Sequence, residues 1–158
     1  MRALEDLVPS LLVSMDTRSL NGLTGILSVR SRELLPYLIP KLLSKPLTQS
    51  NIDALGSVAK VTPNTIYAFF GSIIPTLLTA LASDDTNAAM KETIRICLKL
   101  ISKYVDTDGV NILVSEATSK TYSDKVTIRV ESCWMLGIIC EERESTSSIL
   151  QLLFIALG

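Results

Sequence analysis

One short wording recurs along this chain. "VPSLLVSM" at Val8–Met15, "IPKLLSKP" at Ile39–Pro46 and "IPTLLTAL" at Ile74–Leu81 each hold an aliphatic residue, a proline, one variable residue and a leucine pair. Their prolines, Pro9, Pro40 and Pro75, lie 31 and 35 residues apart. A fainter copy, "LQLLFIAL" at Leu150–Leu157, follows the third by 76 residues, two periods of 38, and the copy between them falls at "VNILVSEA", Val110–Ala117. A chain that repeats at such a period does not build one central core, because each repeat buries its apolar face on its neighbours.

The spacing identifies the repeated element as a helix. In "LLPYLIPKLLSKPL", Leu34, Leu35, Leu38, Ile39, Leu42 and Leu43 recur at i, i+1, i+4, i+5, i+8 and i+9, one broad apolar helix face. Proline inside a helix removes a hydrogen bond and clashes with the preceding turn, at roughly 3 kcal/mol. Pro36 is expected in a first turn, where a missing N–H costs least, while Pro40 and Pro75 are expected to bend their helices.

A second kind of segment alternates with these: "SLNGLTGILSV" (Ser19–Val29), "NIDALGSVAKV" (Asn51–Val61), "MKETIRICLKLISKYV" (Met90–Val105) and "DKVTIRVESCWMLGIIC" (Asp124–Cys140). Their small residues, Gly22, Gly25, Ala54, Gly56, Ser132 and Gly137, are expected to let backbones approach closely. Asp84, Asp85 and Thr86 are cap candidates before the helix through Met90, as are Ser123 and Asp124 before the last A segment. The run Asp106–Gly109 is expected to break the chain after Tyr104. Connections this short make successive helices antiparallel. The predicted fold is therefore an all-α solenoid of about four antiparallel helix pairs, roughly nine helices, forming a single array over residues 1–158. Its ends fall within the repeat pattern, so a fragment of a longer solenoid with truncated terminal repeats is expected.

Composition narrows the chemistry. Apolar residues make up 47% of the 158 and charged ones 20%, which argues against disorder. Fifteen basic against sixteen acidic residues leave a net charge of −1, with no bulk attraction for nucleic acid or anionic lipid. The chain contains no histidine, which removes the commonest general base and metal ligand and every Ser-His or Cys-His pair. No enzyme activity and no cofactor are expected. Cys97, Cys133 and Cys140 lack zinc-ligand spacing and are odd in number, and they read as buried thiols in a reducing compartment. The uncharged run Val61–Ser83 is 23 residues long, enough to span a bilayer, but its prolines and its match to the other repeats argue against a membrane helix. Glu5 and Asp6 stand where a signal peptide would begin its apolar run.

Two passages carry a family resemblance. Asp124, Ile128, Arg129, Val130, Cys133, Leu136 and Gly137 follow the order of a HEAT-repeat A helix, and "DALGSVA" at Asp53–Ala59 supplies a second Leu-Gly. Tetratricopeptide and ankyrin patterns are absent. Within HEAT proteins, "SRELLPYLIPKLL" (Ser31–Leu43), "DTDGVNILVSEATS" and "VTIRVESCWMLGII" resemble the C-terminal half of the large translational activators of the general amino-acid control pathway. That resemblance implies a cytoplasmic scaffold that touches ribosomes and engages the RWD domain of the initiation factor 2 alpha kinase, without sequence-specific nucleic-acid binding. A HEAT scaffold of transport or cytoskeletal type is the alternative.

No contact motif transfers residue by residue. The candidate partner contacts are Arg30 and Arg32 at the predicted A-to-B turn, Lys41 and Lys45 nearby, and Trp134, the single tryptophan. For all five a packing or solvated role is the plainer reading. Arg129 reads as a structural arginine, and Glu141, Glu142, Arg143 and Glu144 as loop charge.

Overall fold

The computed structural model describes residues 17–143, with side chains from residue 21 onward. They form six α-helices and one short 3-10 helix: α1 (Thr17–Leu42), α2 (Gln49–Val61), the 3-10 helix (Ile66–Phe69), α3 (Phe70–Leu81), α4 (Ala88–Tyr104), α5 (Thr107–Thr121) and α6 (Val126–Glu142). No strand occurs among the described residues. The fold is all-α, as the spacing predicts, with six α-helices described where roughly nine are expected. One reason is that α1 merges an A and a B segment, and another is that the copies at Val8–Met15 and Leu150–Leu157 lie outside the described residues.

The junction inside α1 falls at Arg30, whose backbone (φ −128°, ψ 37°) leaves the helical region. Leu23 and Leu27 are buried before it, and Leu34, Leu35, Leu38, Ile39 and Leu42 after it, so two apolar stripes meet at one non-helical residue. The break falls at Arg30, where the A-to-B turn is predicted, while the helical segments continue through Pro40 in α1 and Pro75 in α3. Pro36 sits six residues past Arg30, in the second turn of its segment rather than the first. Pro36 and Pro40 lie on the exposed side of α1, where water can satisfy the carbonyls that lose a partner.

The uncharged run at Val61–Ser83 is divided. Thr62 closes α2, its N–H and its hydroxyl both donating to Val58 O at 3.0 and 2.8 Å. Thr65 and Ile66 then donate their N–H groups to Thr62 O and start the 3-10 helix. Among the described residues no helix is long and apolar enough to cross a membrane.

Helices α2, α4 and α6 stack as one layer, with α2 and α4 in the most extended contact, and α3 packs on α5 in the other. Helix α5 lies against α6, α1 against α2, and α3 reaches α6 as well. The core threads between the layers through Leu55, Val58, Phe70, Ile73, Leu77, Leu98, Ile101, Leu113 and Ile139, all buried. Each such side chain contributes about 1.5–3 kcal/mol of burial. Asp106 N–H donates to Pro63 O at 3.2 Å, which ties the A-to-B turns of two successive repeats together.

The caps differ from the expected ones. Asn87 caps α4, its side chain accepting from Met90 N–H at 2.8 Å, in place of Asp84, Asp85 or Thr86. Asp106 caps α5 by accepting from Gly109 N–H at 2.8 Å, so Thr107, Asp108 and Gly109 belong to the helix instead of the break. Residue Lys125 precedes α6 without a side-chain cap. The glycines also divide. Gly56 is buried beneath α4, and a Cβ there would lie 3.0 Å from Leu100 Cδ1, whereas at Gly22, Gly25 or Gly137 it would meet nothing within 4 Å. Close approach thus holds for Gly56; Ala54 and Ser132 are buried as well, and Gly22, Gly25 and Gly137 are exposed.

Candidate functional site

Arg30 and Arg32 are both exposed at the A-to-B junction. Arg30 pairs with Glu33 at 3.5 Å, but with side chains 56% and 58% exposed the pair contributes little to stability. Lys41 and Lys45 are also exposed, at the opposite end of the second segment of α1. At 1.5 Å per residue the eleven positions from Arg30 to Lys41 span roughly 16 Å, so the four cations form two separate ends and not one patch.

Lys45 lines a groove of about 880 Å³ between successive B-to-A turns, together with Leu47, Thr76, Asp85 and Met90. Alternating helix direction places every A-to-B turn on the edge that carries Arg30 and Arg32. That edge also holds a cluster the sequence reading missed: Lys60 Nζ at the end of α2 and Lys103 Nζ at the end of α4 each lie 5.9 Å from the Tyr104 ring centroid. Tyr104 is 41% exposed. Asp108 and Glu141 are exposed near the same ends, so the edge is of mixed sign with local cationic points.

Trp134 is half-buried against the core. Its ring faces the Arg95 guanidinium at 5.4 Å, and Arg95 Nη2 donates to both Glu131 carboxylate oxygens at 3.0 and 3.3 Å. The three side chains clamp α4 to α6. Glu131 is 14% exposed and Arg95 35%, and Arg95 Nε is buried without a hydrogen-bond partner. Opposite charges 36 residues apart, close to one period, with the tryptophan three residues past the acid, are the sequence signal that could have revealed the clamp.

Two further arginines close turns. Arg129 Nη1 donates to Ser123 O at 2.8 Å and Asp124 O at 3.3 Å, which is the structural use expected of it, on the turn before its own helix. Arg143 does more than carry loop charge: its Nε donates to Ser102 O at 2.9 Å and its Nη2 to Val105 O, which satisfies carbonyls at the C-terminal end of α4.

The cysteines differ from a uniform set of buried thiols. Cys97 is buried, Cys140 half-buried and Cys133 exposed, and all three are free. Burial pushes the Cys97 thiol up to about 12, with the nearby Asp53 charge acting in the same direction, and burial also raises Cys140. The folded state holds the Cys97 proton more tightly than the unfolded chain, so this contribution to stability is full below the unfolded value and lost as pH climbs toward 12. Maleimide labelling at pH 8, read by mass spectrometry, is expected to modify Cys133 first and Cys97 only on unfolding. Rapid labelling of Cys97 in the folded chain would contradict the packing of α4 on α2.

Residues 34–156 match the family described as "Stalled ribosome sensor GCN1-like, HEAT repeats". The chain is 32% identical over 123 residues to Protein ILITYHIA of Arabidopsis thaliana, covering 78% of this chain and 4% of that protein. It is 31% identical over 144 residues to the eIF-2-alpha kinase activator GCN1 of Dictyostelium discoideum, covering 86% and 5%. To the human stalled ribosome sensor GCN1 it is 28% identical over 149 residues, covering 91% and 6%. The chain therefore spans about a twentieth of the length of these curated relatives. No solved structure matches it. The family match over most of the sequence agrees with the stacked helix pairs and the two Leu-Gly A helices, and the chain belongs to the GCN1-like HEAT-repeat family.

Proposed function

We propose that the chain is a cytoplasmic, non-catalytic protein-binding scaffold in translational control, a HEAT segment that helps ribosome-associated activation of the initiation factor 2 alpha kinase under amino-acid starvation. The observation that carries this reading is the likeness, over most of the chain, to proteins named as ribosome sensors and as activators of that kinase. The mechanism is positional: a stack of helices presents its turns along one edge and holds a complex in place. Arg30 and Arg32 serve as partner contacts there, with Lys60, Lys103 and Tyr104 on the same edge. Lys41 and Lys45 offer a second contact point at the B-to-A turns. Trp134 contributes through its exposed rim, its inner face being engaged by Arg95.

The purified chain, immobilised and exposed to ribosomes and separately to the kinase's RWD domain, is expected to retain at least one of them above a bead control. Enrichment of neither would overturn the proposal.

A further inference from the structure

The B helices do not all pack alike. Helix α3 lies along α5, but the second half of α1 makes no extended contact with α3. The groove of about 880 Å³ at the B-to-A turns lies between these two, and its size is within the roughly 300–1,000 Å³ of ligand clefts. Leu47, Pro75, Ala80 and Met90 give it a half-buried apolar bed. Thr76, Thr79 and Thr86 set hydroxyls among them. Asn87 also lines it, and because its side-chain oxygen caps α4, its NH2 is left for a ligand. The charges are sorted by wall. Lys45 stands on the turn after α1, with Lys41 exposed close before it, and Asp85 stands on the turn after α3, beside exposed Asp84. Among the described residues the ion pairs are Arg30–Glu33 and Arg95–Glu131, so neither Lys45 nor Asp85 is engaged in one.

We propose that this groove binds an extended segment of a partner protein in which one acidic and one basic residue flank a few apolar ones. The acidic side chain pairs with Lys45, the basic one with Asp85, and the apolar ones seat on Leu47, Ala80 and Met90. Charge complementarity sets the two ends: a positive wall faces a negative one, and Asp84 and Asp85 repel the phosphates of a nucleic acid. The polar lining sets the conformation. A helix satisfies its own N–H and C=O groups and is read by apolar anchors, whereas an extended chain brings those groups unpaired and needs the partners that Thr79, Thr86 and Asn87 supply. The groove opens on the side of the stack, between two turns of the array, and not at its end. The site rests on the reading of the chain as a protein-binding scaffold and adds the chemistry of the segment it holds.

The probes are fluorescein-labelled synthetic peptides in which Glu and Lys are separated by about three to five residues drawn from Val, Pro and Leu, the proline keeping them extended. Fluorescence anisotropy with the full chain is expected to show saturable binding of the mixed-charge peptides, and binding roughly fivefold weaker or less when both charged positions are Glu or both are Lys. Lys45→Glu and Asp85→Lys should each weaken the mixed-charge peptide roughly tenfold, about 1.4 kcal/mol. Asp85→Lys should then prefer the doubly acidic peptide and Lys45→Glu the doubly basic one, a switch that a merely structural role would not produce. Both side chains are exposed, so both variants should melt with the parent. Absence of saturable binding by any mixed-charge peptide, or binding indifferent to both substitutions, would overturn the proposal. So would sedimentation showing a dimer that Asp85→Lys dissociates, because the occupant would then be a second copy. A chain that binds the peptides but retains neither ribosomes nor the RWD domain would uphold the groove and overturn only the translational reading.

Discussion

Gly109→Val is expected to lower stability by about 3 kcal/mol, which for a chain of this size is a fall of roughly 6–12 °C in Tm. Gly109 occupies the first turn of α5, its N–H held by Asp106, at the point where the A-to-B turn of one repeat meets the 3-10 helix of the repeat before it. A Cβ there would collide with Val105 Cγ2 and lie 3.0 Å from Tyr67 Cδ1. Val105 is 2% exposed, and its branched side chain is stiff at χ1, so relief requires a shift among packed neighbours. Alanine should be milder, since its better helix propensity offsets up to about 1 kcal/mol of the clash. The control is Gly137→Ala, whose methyl meets nothing and which should leave Tm unchanged or raise it. Thermal melts followed by circular dichroism decide the matter. Equal melting of the Gly109 and Gly137 variants would contradict the register of α5 against the turn at Tyr67.

The second large effect belongs to the clamp between α4 and α6. Removing Glu131 leaves the Arg95 guanidinium partly buried beside Trp134 with its Nε already unpartnered. Breaking a fully buried pair costs about 3–5 kcal/mol and an exposed one less than about 1. With the partners 35% and 14% exposed, Glu131→Ala should fall between, at roughly 1.5–3 kcal/mol. The double replacement Arg95→Met with Glu131→Leu should recover most of that loss, because it removes both charges and keeps the volume. A cycle built from Arg95→Ala and Trp134→Ala should show a coupling of about 0.5–1 kcal/mol or more. Additive effects would mean that Trp134 and Arg95 act independently, and would free Trp134 for a role limited to partner binding.

Much of the fold was legible because a solenoid writes its architecture locally. The stripe Leu34, Leu35, Leu38, Ile39 and Leu42 declares a buried face in sequence and is one in space. The same holds for Ile74, Leu77 and Leu78, and their repetition disclosed the stacking without any long-range inference. What the sequence concealed were choices between near-equivalent local solutions. Asn87 displaces Asp84 and Asp85 as the cap of α4, although all are good capping types, because only its side chain reaches the N–H of Met90. Pro36 falls in the second turn of its segment and not the first, because the A-to-B turn, predicted around Arg30 and Arg32, is made at Arg30 alone. Gly56 and Gly137 look identical in the Leu-Gly motif, and only the presence or absence of a neighbouring helix separates them.

The candidate contacts were legible only as exposed charge. Arg30, Arg32, Lys41 and Lys45 are exposed as expected, but helix length divides them between two edges. Lys60 of α2 reaches the ring of Tyr104 in α4, beside its sequence neighbour Lys103, a meeting of two helices that no local pattern announces. For the same reason no local pattern marks Arg95 and Glu131, which pair only because α4 and α6 lie side by side.

The most direct measurement is sedimentation of the purified chain with ribosomes through a sucrose cushion at low and physiological salt, with Arg30→Glu/Arg32→Glu beside the parent. These arginines lie on an exposed junction, so the double variant should melt with the parent. The expected result is that the parent pellets with ribosomes, less so as salt rises, and that charge reversal returns it to the supernatant. A parent chain that remains in the supernatant at both salt concentrations, and that also fails to retain the RWD domain, would contradict the reading of this HEAT segment as a scaffold in translational control.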